Sequence, residues 1–103
     1  MGTFWYADSG FGMFDTNLRY LQLASEAALA AGQGFALEIQ DSGHLRTLYL
    51  SPGVALEFQY DAPQPPEIDA ALCRTFEGRA RAGETLQWYP HGPRADPHRD
   101  VEI

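Results

Sequence analysis

Glu38 and Glu57 are the side chains in this sequence best placed for acid–base chemistry. Each occupies a polar position of an alternating segment, "FALEIQ" and "VALEFQ". A meander that holds those segments as its first and third strands would carry both carboxylates on one polar face, with His44 or Arg46 nearby. Two carboxylates work as general acid and general base when a water-restricted pocket drives their pKa values apart. No segment offers walls for such a pocket, so a solvent-facing sheet surface bearing Glu, Gln and Arg is the stronger expectation. The other reactive residue types give less. Cys73 is the lone cysteine, which excludes an intrachain disulfide and points to a reducing compartment. It falls on the flank of a helical segment, where a small apolar filler is expected. Ser9, Ser42 and Ser51 fall in turn sequences, where their hydroxyls bond locally to backbone. His91, Asp96, His98 and Asp100 have metal-ligating chemistry, but a proline-broken tail does not preorganise a site and the spacing is not of the zinc type. No strand runs into a glycine-rich phosphate turn, and "GFG" at 10–12 suits turns. No catalytic residue, metal site or cofactor is expected.

The elements that would carry these residues can be read from periodicity. "TFWYA" and "FGMF", joined by "DSG", suggest an N-terminal hairpin with the glycine in the turn. Asp15 or Thr16 offers an N-cap to "NLRYLQLASEAALAA", with Gly32 at its end. On that helix Tyr20, Leu21, Ala24, Ala27, Ala28 and Ala31 share a face suited to lying close on a sheet. "GFALEIQ", "HLRTLYL" and "VALEFQY", separated by "DSG" and "SPG", predict a three-stranded antiparallel meander. Phe35, Leu37 and Ile39 face one way in the first strand, as do Val54, Leu56, Phe58 and Tyr60 in the third. The middle strand is mixed, Arg46 sharing a face with Leu48 and Leu50 while Leu45 and Tyr49 share the other. "DAPQPP" must be a loop, and Pro66 suits the first turn of a second helix through "EIDAALCRTFEGRARAG". Gly83 closes that helix, and "ETLQWY" follows as a C-terminal strand. The expected architecture is α+β, an antiparallel sheet of meander, C-terminal strand and N-terminal hairpin, covered on one side by two helices. Residues 1–90 are expected to form the single domain, and 91–103 are expected to be a polar, flexible tail.

Charge narrows the function classes. The chain carries 14 acidic residues against 7 basic ones, all arginine, a formal net charge of -7. That field repels nucleic acid and anionic membrane and favours a basic protein partner. Neither a signal-peptide pattern nor an apolar run of membrane-spanning length is present, and a cytoplasmic location is expected. Trp5 lies between Phe4 and Tyr6 on a strand, so the three rings cannot share one core face, and Trp and Tyr favour interface anchors.

The aromatic "YAD" stretch, an amphipathic helix, "FALEIQDSGHLRTLYLSPGVALEFQYDA", then a helix and "ETLQWYP" together resemble the small immunity proteins of bacterial polymorphic-toxin and contact-dependent systems. Those are the proteins that neutralise deaminase or nuclease toxins. The resemblance covers about residues 4–89 and rests on element order. It implies a non-enzymatic inhibitor that binds a cognate toxin domain and blocks its active site. The residues expected to bind the partner are Trp5, Tyr6, Asp8, Glu38, Asp41, Glu57 and Asp61, the aromatics as anchors and the carboxylates against basic side chains. Two alternatives stand beside this reading: a nucleic-acid-mimicking inhibitor of a DNA-binding complex, and a small enzyme or ligand-binding protein using Glu38, Glu57 and His44.

Overall fold

The computed structural model of the protein describes residues 1–41 and 43–89. Alternation along the first strands sets their faces. In β1 (Gly2–Tyr6) Phe4 is fully buried, while Thr3 and Trp5 face the other way. β2 (Ser9–Met13) buries Phe11 and Met13 and exposes Gly10 and Gly12. The two form the expected antiparallel hairpin, with Tyr6 opposite Ser9. Its turn is Ala7-Asp8, and Ala7 takes the positive φ of 50°. Gly10, expected in the turn, instead lies in the ladder opposite Trp5.

α1 (Asp15–Ala30) buries Leu18, Tyr20, Leu21, Ala24 and Ala28, together with Asn17 and Ser25. Asp15 is not its N-cap. Phe14 holds that position, and the Asp15 carboxylate accepts from the backbone N–H groups of Asp61 and Ala62, pinning the far loop to the helix start. α2 (Ala70–Arg81) begins later than Pro66, because the Asp69 carboxylate accepts from the N–H groups of Ala71 and Leu72. An N-cap of this kind stabilises a helix by about 1 kcal/mol, so Asp69→Ala is expected to lower unfolding stability by that amount in denaturant titration.

The α+β class holds, with a division inside the sheet. β3 (Phe35–Asp41) and β4 (His44–Leu50) pair antiparallel as expected, but β5 (Leu56–Gln59) leaves β4 and pairs with β1. The sheets are β2-β1-β5, called sheet A, and β4-β3-β6, called sheet B, where β6 (Leu86–Trp88) runs parallel to β3. The connection explains the departure from a meander. Residues 51–55 are no tight hairpin: Pro52 has no N–H for a ladder, Gly53 takes φ 96°, and the Val54 N–H bonds back to Ser51. That short arch carries the chain across to sheet A, where Phe58 meets Phe4 with ring centroids 5.3 Å apart.

The inner faces of both sheets and the two helices enclose one core containing Phe4, Phe11, Leu37, Ile39, Phe76 and Trp88. The tail at 91–103 lies outside the described residues. Burial raises the pKa of the Cys73 thiol above its ordinary 9.0, and those of the Tyr20 and Tyr60 phenols above 10.0. The folded chain thus keeps these protons to higher pH than the unfolded chain. The stability they contribute is complete below the ordinary values and is lost as pH rises towards the raised ones. A thermal midpoint that is flat near neutrality and falls above about pH 9 is the expected result.

Candidate functional site

Because the helices take the inner faces, the outer faces of the sheets are left to solvent, and the candidate residues divide between them. On sheet A, β1 turns Trp5 outward opposite Glu57 of β5 on one side and Gly10 of β2 on the other. The indole lies across Gly10, whose absent side chain makes room for it: a Cβ there would stand 2.8 Å from the Trp5 ring. The indole Nε1–H donates to Gln59 Oε1 at 3.2 Å. Ring plane and edge are therefore both held.

Beyond the ring, Trp5, Ala7, Asp8, Ala55, Leu56 and Glu57 line an open cleft of ≈ 330 Å³. The Ala7 N–H donates to Ala55 O at 2.9 Å, tying the hairpin turn to the strand that carries Glu57. Both Asp8 and Glu57 are exposed, and neither meets a cation among the described residues. Ala7 in a left-handed conformation is strained by about 1–2 kcal/mol relative to glycine. Ala7→Gly is therefore expected to raise stability by about 0.5–1 kcal/mol after its greater unfolded-state entropy is allowed for, measurable as a shifted denaturation midpoint.

Other expected residues lie elsewhere. Tyr6 points to the inner side of β1, where its hydroxyl donates to the Tyr49 carbonyl at 2.9 Å and joins the two sheets. Asp61, two residues past the end of β5, pairs with the Met1 ammonium at 3.0 Å. Glu38 projects from β3 on sheet B and shares a second cleft, of ≈ 210 Å³, with Gln40, Leu45, Gln87, Trp88 and Tyr89. Asp41 closes the same strand opposite His44. The expectation that Glu38 and Glu57 share a face is therefore corrected. β5 joined sheet A and took Glu57 with it, so the carboxylate pair proposed for acid–base work is not formed.

Sheet B's outer face has its own character. Leu45 and Tyr49 are 56% and 71% exposed on the same side of β4. Among the described residues no group of three or more His, Cys, Asp or Glu side chains could hold a metal ion. No helix among them is long and apolar enough to cross a membrane.

Charge is segregated across these elements. The described arginines are Arg19 on α1, Arg74, Arg79 and Arg81 on α2, and Arg46 on β4, whose guanidinium lies 4.8 Å from the centre of the Phe11 ring. The strands of sheet A carry one charged side chain, Glu57, and their connecting turn adds Asp8. Gln59, Gly10 and Ala7 complete this site and were not among the expected residues. A glycine at even spacing inside a strand, opposite a tryptophan, was the available signal for Gly10.

The model of the family described as Domain of unknown function (DUF7882) matches residues 1–91, and the chain belongs to that family. No curated protein and no solved structure gives a significant match.

Proposed function

We propose that this family member is a non-enzymatic, acidic binding protein of the cytoplasm that neutralises a cognate bacterial toxin domain by docking against it with the outer face of sheet A. The observation that carries the reading is the pair Asp8 and Glu57, which meet no cation among the described residues, beside an outward indole on a sheet whose strands contain no lysine or arginine. A surface of this composition attracts a basic partner over distance and offers an aromatic anchor at contact. The deep basic cleft of a nucleic-acid-modifying enzyme has the complementary charge. The division of Glu38 from Glu57 weighs against the enzymatic alternative, because it removes the proton donor and acceptor pair on which that alternative depended.

The test is functional. A tagged chain returned to its native lysate should retain one basic domain in stoichiometric amount. That domain, expressed alone, should arrest growth, and co-expression of this protein should restore it. A captured domain that is harmless by itself would contradict the neutralising role.

A further inference from the structure

We infer that the cleft at the Trp5 end of sheet A receives one arginine side chain of the protein partner, its guanidinium over the indole and its N–H groups on Asp8 and Glu57. The inference rests on the acidic-binder reading above and specifies the anchor of that interface. Three properties of the cleft select this occupant. The indole N–H is already committed to Gln59, so what the ring offers is its outward π face, which attracts cations. Among the described residues the two carboxylates meet no cation, and charge-assisted bonds to carboxylates are strongest from the planar fork of guanidinium. The remaining walls, Ala7, Ala55 and Leu56, are small or apolar and suit the methylene stem that precedes the charged head. At ≈ 330 Å³ the cleft lies at the low end of the roughly 300–1,000 Å³ typical of ligand pockets, which favours a single side chain over a cofactor.

The chain's described arginines are all placed on the helices or over Phe11, so none of them fills the cleft. Arg94 and Arg99 fall outside the described residues and are the competing occupants that the experiment must separate.

The probes are N-acetyl-arginine amide and N-acetyl-lysine amide, titrated into the ¹⁵N-labelled full chain. Trp5 and Trp88 are the two tryptophans, so the spectrum holds two indole N–H signals. The arginine analogue should move the Trp5 signal saturably and leave Trp88 in place, with half-saturation about fivefold lower than for the lysine analogue. Asp8→Asn and Glu57→Gln should each raise that half-saturation about threefold or more without altering the rest of the spectrum. Equal responses to both analogues, abolished by salt, would overturn the arginine slot while leaving the acidic face as a binding surface. A Trp5 signal that shifts in Arg94→Gln or Arg99→Gln without added probe would assign the cleft to the chain's own tail and overturn the inference. No response to either analogue would also overturn it. The acidic-binder reading is then judged separately, by whether charge reversal at Asp8 and Glu57 dissociates the captured complex.

Discussion

Trp88→Ala will cost the domain about 3–5 kcal/mol, the usual range for deleting a fully buried large aromatic side chain. Trp88 has no exposed surface and packs against Phe76 with ring centroids 5.1 Å apart, and Phe76 in turn meets Tyr20 of α1 at 5.5 Å. Through the Phe76 ring, Trp88 thus links β6 to α2 and α1, and β6 is only three residues long. A strand so short holds its place through side-chain packing more than through its ladder. Against a total stability of about 5–15 kcal/mol, the loss consumes much of the margin. The thermal midpoint should drop by at least about 12 °C.

Trp88→Phe separates packing from hydrogen bonding. The indole Nε1 is buried with no partner among the described residues, and an unsatisfied buried donor costs about 1–3 kcal/mol. Phenylalanine keeps most of the ring contact and removes that donor, so its net cost should stay below about 1.5 kcal/mol. A phenylalanine variant as unstable as the alanine variant would show that the indole's outer ring and N–H, and not general aromatic packing, hold β6.

The second large effect belongs to Trp5. Trp5→Ala should weaken the partner complex by about 2 kcal/mol or more, roughly thirtyfold in Kd, as expected for a central aromatic anchor. The same change uncovers Gly10 and leaves Gln59 without its donor, so unfolding stability should fall by about 1–2 kcal/mol. Trp5→Phe retains a ring over Gly10 but loses the N–H to Gln59. It should recover most of the stability and only part of the affinity. Equal affinity for wild type and Trp5→Ala, measured calorimetrically under conditions where both are folded, would remove the indole from the interface.

How far these residues could be read beforehand differs by element. Period-two alternation identified the inward face of β3, where Phe35, Leu37 and Ile39 are buried, and the alternation of Leu86 and Trp88 in β6, whereas the mixed pattern of β4 was settled only by the structure, which buries Leu48 and Leu50. Alternation tells which side of a strand is buried, but it does not tell which neighbour the strand joins. β5 shows this plainly. Its inward Leu56 and Phe58 suit either sheet, and the choice was made by an arch at Pro52-Gly53 and by the ring of Phe4, a long-range contact that local pattern does not contain. The parallel pairing of β6 with β3 depends likewise on α2 bringing the chain back across the sheet. The candidate site was legible in its parts, since Trp5, Asp8 and Glu57 were all expected, and their grouping followed only from the β1–β5 pairing. Turn chemistry misled at one point. Glycine was expected to take the positive φ of the hairpin, yet Ala7 takes it and Gly10 serves the indole, because close approach of a large ring excludes any Cβ there.

The outer face of sheet A is the proposed docking surface. Its most direct test is the association rate with the captured partner at about 50 and 200 mM salt, for wild type, Asp8→Lys/Glu57→Lys and Glu38→Lys. The double reversal should slow association by about tenfold or more at low salt and flatten its salt dependence, with the thermal midpoint unchanged. Glu38→Lys, on the other sheet, should have a much smaller effect. An unchanged rate in the double variant, with the loss appearing in Glu38→Lys, would contradict the account and place the interface on the outer face of sheet B.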